Sequence, residues 1–116
     1  MSSLVEIRAI VRDEMLDRIV HRLKECGVPR FNVTRVHAIG AGVDPATTKF
    51  SFREASAYQD KAQVQFICDA ERCDMYTEII AKAAHTGRKG DGIVSVHPVM
   101  AVTKIHSGAT GLEALE

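Results

Sequence analysis

The run Thr86–Val96, TGRKGDGIVSV, holds the densest set of residues able to do chemistry in this chain. Thr86-Gly87 is followed by Gly90-Asp91-Gly92, with Arg88 and Lys89 between the glycines. Glycine has no Cβ, so the chain can enter φ > 0 and another group can approach the backbone closely. Successive exposed N–H groups in such a loop form an anion-binding nest, and two cations beside it strengthen the field. The pattern reads as a phosphate cradle between a helix and a strand; a tight αβ connection without a ligand would use the same residues. Lys104 and His106 are a second pair, placed at i and i+2, which on a strand points both to one face. Beside a glycine cradle they would meet phosphate oxygens, Lys104 as a point charge and His106 as a donor when protonated. Alone they read as two solvated side chains on an edge strand.

Metal chemistry has less to stand on. His21, His37, His85 and His97 are scattered, and Cys68 and Cys73 match no common zinc spacing. With Cys26 these two read as reduced, packed thiols, and no metal site is expected.

The elements that must position the loop follow from periodicity. Val5, Ile7, Ala9 and Val11 alternate with Glu6 and Arg8, a strand packed on one face. Asp13 is placed to cap a helix with Glu14 in its first turn. Leu16, Ile19, Val20, Leu23 and Cys26 then recur at helical spacing up to Gly27, a C′ glycine. Phe31–Ile39 reads as a second strand and Ala62–Cys68 as a third, with Val64, Phe66 and Cys68 inward and Gln63 and Gln65 outward. Asp69 can cap a second helix, with a stripe of Cys73, Tyr76, Ile79, Ile80 and Ala83, stopped by Gly87. Ile93–Val96 is a fourth strand that Pro98 ends or places at a sheet edge, and Val99–His106 could add a short last one. The order is βαββαβ: a ferredoxin-like α+β fold, an antiparallel sheet with two helices on one face. The other face then needs water or a partner, and self-association is the common solution.

With 116 residues the chain makes one domain. Fifteen basic and fifteen acidic residues leave no global field to hold nucleic acid or an anionic membrane. The opening MSSLVEIRAIVRDE meets charge too early for a secretory signal, and no run approaches the ~20 apolar residues of a membrane span. A cytoplasmic location is the expectation.

Between the second and third strands lies a connection of unusual length, Gly40–Asp60. Asp44-Pro45 signals a turn, and Phe50, Phe52 and Tyr58 are potential anchors. Exposed aromatics on a long loop point to a recognition segment that orders against a partner, with Lys49 and Arg53 beside them. The alternation of Lys49, Ser51 and Arg53 with Phe50 and Phe52 also fits an extended hairpin, and the two readings are compatible.

Taken together these features resemble the P-II nitrogen-regulatory protein family, or a PII-like branch of it, from about Val5 to Leu115. Three parts carry the resemblance: the first strand–helix unit running into CGVPRFNVTRVHAIGAG, the segment KAAHTGRKGDGIVSV, and the closing KIHSGATGLEAL. It implies a homotrimer with an adenine nucleotide in each cleft between subunits. A mobile T-loop (41–60), a glycine-rich B-loop (86–94) and a C-terminal loop (102–116) would make up the working parts. The nucleotide would be an allosteric ligand, and the T-loop would grip a membrane transporter or an enzyme; no catalysis is implied. By position, Gly90, Asp91 and Gly92 would hold phosphates from one subunit, and Lys104 and His106 from its neighbour; Gly87 would join the nucleotide-binding residues, with Arg88 and Lys89 as compensating charges. Ile10, Ile39, Gly40 and Ile67 would line the cleft, with Asn32 near the adenine edge and Lys61 close by.

The departures from the family's pattern shape the expectation. Ile93 stands where the family has a lysine after the glycine core, and Lys104 and His106 replace two arginines, so bidentate donors are lost. A weaker hold on a γ-phosphate favours ADP or AMP over ATP. Glu54 stands at the often-uridylylated tyrosine, and Gly42 at the glutamine that helps bind magnesium and 2-oxoglutarate. These changes direct the expectation toward bicarbonate uptake and inorganic-carbon physiology, or metal efflux. On this reading Gly90→Val should damage binding far more than folding. The competing expectations are a trimeric metal-tolerance protein of the CutA type, without nucleotide binding, and a small acylphosphatase-like enzyme. For the latter, Arg12 and Asn32 offer only a poor phosphate loop.

Overall fold

In the computed structural model, which describes residues 3–116, the alternating first segment forms β1, Leu4–Arg12. Ile7, Ala9 and Val11 are fully buried and Arg8 is exposed, so one face of the strand is sealed. A long strand β4, Ser56–Asp69, and β5, Gly92–Val99, flank β1, both antiparallel to it. β2, Asn32–Ala38, joins the far side of β4 to give the order β2-β4-β1-β5, and the short β3, Lys49–Ser51, pairs with the start of β4. Helices α1, Leu16–Glu25, and α2, Cys73–Ala84, cover one face. Leu16, Ile19 and Leu23 from α1 and Tyr76, Ile80 and Ala83 from α2 meet Val64, Phe66 and Cys68 of β4. Each large aliphatic side chain so buried is worth roughly 1.5–3 kcal/mol. The fold is the ferredoxin-like α+β arrangement, extended by a hairpin.

Several boundaries differ from expectation for local reasons. Asp13 does not cap α1: a 3₁₀ turn, Asp13–Met15, precedes the helix, and the Asp13 carboxylate pairs with Arg35. Gly27 does end α1, with Val28 N donating to Leu23 O and Gly27 N to Lys24 O, a Schellman closure. Asp69 accepts from Glu71 N, capping the 3₁₀ turn that leads into α2. α2 stops at Ala84, where His85 turns extended, so Gly87 lies beyond the helix and does not terminate it. β5 runs through Pro98, which costs no ladder bond on an edge strand. No last strand forms over Val99–His106. The segment folds on itself instead, with Lys104 N donating to Ala109 O and Gly108 N to Lys104 O beside a lone Thr103–Thr110 bridge. Lys104 and His106 are therefore not brought to one face by strand geometry.

The sheet face away from the helices carries Glu6, Arg8 and Ile10, Gln63, Gln65 and Ile67, and Ile93, Ser95 and His97, aligned by register. Its polar groups are matched along each strand: Arg8 to Glu6, Gln63 to Gln65, Ser95 to His97. Ile93 remains 65% exposed there, opposite Ile10.

Candidate functional site

Arg12 ends β1 on the face the helices leave open, yet it is 0% exposed because two loops close over it. Its Nη1 donates to Asp44 Oδ2 (2.9 Å), its Nε to Asp91 Oδ1 (2.9 Å) and its Nη2 to the Lys89 carbonyl (2.7 Å). Gln59, buried on β4, ties the same loops a second time: Oε1 accepts from Asp44 N (2.9 Å), and Nε2 donates to Gly90 O (3.4 Å). Burial alone would weaken the charged form of Arg12, but the bonds to Asp91 and Asp44 outweigh it and raise its pKa. A bond from Ala46 N, then one from Arg12, lowers the Asp44 pKa.

The glycine loop has a different inner logic from an open nest. Asp91 turns its own carboxylate into it, taking Thr86 N (2.8 Å), Gly87 N (3.0 Å) and the Thr86 hydroxyl (2.5 Å). Burial would raise the Asp91 pKa, yet these bonds and Arg12 hold it well below the usual carboxylate range. Asp91 and Gly87 were expected to hold phosphate; here the Gly87 amide is spent on Asp91, which acts as the clasp of the loop. Arg88 N is also taken, by Thr86 Oγ1 (3.1 Å). The Arg88 and Lys89 side chains are exposed, and Arg88 lies 3.8 Å from Asp44.

Gly90 and Gly92 are needed for contact as well as for conformation. At Gly90 (φ +99°) a Cβ would stand 2.8 Å from Asp44 N and from Gln59 Oε1, and at Gly92 (φ +105°) it would overlap the Ile10 carbonyl oxygen. The expectation that Gly90→Val damages binding far more than folding meets a structural cost here: the side chain would wedge the two loops apart. Lys61, next to Arg12 in the ladder, is 6% exposed. Burial first, then the Arg12 charge, lowers its pKa.

Asn32, Ile67, Lys104 and His106 do not join this cluster. They line a cavity of about 440 Å³ at the other end of the sheet, with Glu6, Arg30 and Gln65. Lys104 Nζ reaches the Glu116 carbonyl there. Along β4, Lys61 and Ile67 are six residues apart, roughly 20 Å. The two groups of expected ligands in one chain cannot touch one phosphate. Ile10 lies half-buried on the open face, while Ile39 and Gly40 are exposed beyond the end of β2. Among the described residues, no group of three or more His, Cys, Asp and Glu side chains is placed to hold a metal ion.

The long loop is partly built. β3 and the first residues of β4 form a hairpin, so Ser56–Asp60 belong to a strand rather than to a free loop. Lys49 Nζ holds Asp60 (2.8 Å), and His37 Nδ1 meets Glu54 (2.5 Å). Phe50 and Phe52 stand edge to face at the tip, with Phe52 92% exposed beside exposed Arg53. Tyr58, expected as an anchor for a partner, is stacked on His37 with ring centroids 3.9 Å apart. Phe50, Phe52 and Arg53 are what the hairpin presents.

Sequence reasoning missed Arg12 as a structural centre, and with it Asp44 and Gln59. A lone arginine closing an apolar alternation was the available signal, but its acceptors lie 32 and 79 residues away.

Residues 4–109 match the family model described as nitrogen regulatory protein P-II. The chain is 34% identical over 113 residues to the nitrogen regulatory protein P-II of Rhizobium meliloti, covering 95% of this chain and 98% of the relative. It is 33% identical to that of Azospirillum brasilense at the same coverage. The structure of Arabidopsis thaliana PII bound to citrate superposes with a TM-score of 0.78 at 23% identity, over 97% of this chain and 92% of that one.

Proposed function

Given that the chain belongs to the nitrogen regulatory protein P-II family, whose members are regulatory proteins rather than enzymes, we propose that it is a nucleotide-responsive switch. An adenine nucleotide, ADP or AMP in preference to ATP, seats its phosphates between two copies of the chain in a homotrimer. The glycine loop of one copy faces Lys104 and His106 of the next. Lys61, Arg88 and Lys89 supply charge from the first copy, with Gly90 and Gly92 holding the loop's shape, while Ile10, Ile39 and Gly40 form its wall. Asn32 and Ile67 of the second copy meet the base. The hairpin carrying Phe50, Phe52 and Arg53 then engages a transporter or an enzyme. The membership removes the ground for the CutA-type alternative.

One observation carries this reading: the expected ligands fall into two groups roughly 20 Å apart along β4, with exposed Arg88 and Lys89 at one end and the cavity lined by Lys104 and His106 at the other. A second copy is the simplest body able to complete either half. The largely apolar Ile10–Ile93 zone of the open face offers it a surface. The preference against ATP follows from Ile93 and from the single ammonium and imidazole where two forks would stand. A charge-assisted bond contributes ~1.5–3 kcal/mol.

Titration calorimetry with ADP, AMP and ATP, each with and without bicarbonate, tests the reading. ADP or AMP should bind more tightly than ATP and stabilise the fold, by ~2.7 kcal/mol at a hundredfold excess over Kd. No heat and no stabilisation with any of the three would overturn it.

A further inference from the structure

We propose that Arg12 is the coupling residue of this protein. Through its bonds to Asp44, Asp91 and the Lys89 carbonyl, it makes the base of the long loop and the glycine loop move as one unit.

The geometry is specific. The guanidinium is fully buried and engages both loops at once: Asp44 belongs to the long loop, Lys89 and Asp91 to the glycine loop. A planar fork fixes the relative orientation of its acceptors, which an ammonium on a flexible stem cannot do. Gln59 supports the same junction from β4, and the missing side chain of Gly90 lets the loops touch. Asp44 and Asp91 make no bond to each other; each is satisfied within its own loop, by Ala46 N and by Thr86 and Gly87 N. Arg12 is the side chain that bonds both aspartates at once, while Gln59 and the Arg88–Asp44 approach bring the same turns together, so a shift of Asp91 changes the free energy of the Asp44 arrangement, and the reverse holds equally. Arg12 is sealed behind both loops, which makes it a positioning residue. As the regulation of the proposed nucleotide site, this inference rests on that reading for its ligand, while the linkage itself can be measured without one.

Hydrogen exchange of the full-length protein with no nucleotide is the first arm. Asp44→Asn should accelerate exchange at the Thr86 and Gly87 amides, which do not touch Asp44, by roughly fivefold or more. Arg12→Lys should accelerate both 44–46 and 86–87. Acceleration confined to 44–46 in Asp44→Asn would overturn the proposal, because a purely local role predicts just that. Asp44 is buried, but Asp44→Asn keeps its size and an oxygen for Ala46 N, which makes it the milder variant should Arg12→Lys fail to fold.

ADP is the second arm. In the wild type it should change exchange in 41–48 and 86–91 together. In Asp44→Asn the response of 86–91 should persist while that of 41–48 is lost, and a joint response there would overturn the coupling. No response in the wild type would count against nucleotide binding, and the linkage through Arg12 would then stand or fall on the first arm.

Discussion

A methyl group on Gly92 would have to occupy the space of the Ile10 carbonyl oxygen, in a backbone conformation that side chains rarely adopt. Gly92→Ala should therefore cost about 3 kcal/mol or more in urea denaturation. Gly42, with nothing within 4 Å, should accept alanine within about 0.5 kcal/mol. Equal small effects would refute the packing account. Lys61 is the opposite case, a buried ammonium whose charge the site disfavours. Lys61→Met should raise stability by about 1 kcal/mol and weaken nucleotide binding, and calorimetry of both quantities checks the trade. At this scale the sequence shows which residues are unusual but not what they face. The glycines around Asp91 were legible as a tight loop. That Asp91 fills its own nest was not, since a carboxylate four or five positions from a free amide and one bonded to it look alike in one dimension.

The two loops clasped at Arg12 should respond to acid in a defined direction. Asp44 and Asp91 both titrate below their ordinary value of about 3.9, so their bonds favour the folded arrangement above that value. The contribution is fully present at about pH 5 and higher, and is lost as pH falls through the depressed folded values. Protection of the Thr86 and Gly87 amides, corrected for intrinsic exchange, should be flat from pH 8 to about pH 5 and should collapse only below about pH 4. Loss between pH 7 and 5 would point to histidine instead. Elements with strong periodicity were legible: β1, α1 and the inner half of β4 follow directly from apolar spacing. The hairpin was half legible, since Phe50 and Phe52 alternate with polar residues, but the continuation of β4 to Ser56 depends on β3 pairing with it. The final segment misled because Val99, Val102 and Ile105 suit a strand, whereas Gly108 allows the chain to bond back on Lys104.

For the whole molecule, the separation of the half-sites makes a combined test possible. Lys89→Glu and Lys104→Glu should each abolish nucleotide binding alone, whereas co-expressed chains should regain a fraction of the sites by pairing intact halves. Light scattering should report about three times the 12.7 kDa chain mass for every species. Binding that is never regained, or a monomeric mass, would reject the shared site. Fold class was readable because helix count and strand order follow from pattern; the division of the expected ligands between two subunits came only from the family resemblance, because spacing does not say how far apart the ends of one strand lie. That strand has a mechanical consequence. β4 runs without interruption over 14 residues, from the aromatic tip past Gln59 to the cavity, and only its outer end stands clear of the sheet. A rigid tilt about Gln59 would act over an arm of about 15 Å to the hairpin turn. A tilt of roughly 15° there would carry Phe52 through about 4 Å, a displacement large enough to seat or unseat an aromatic ring.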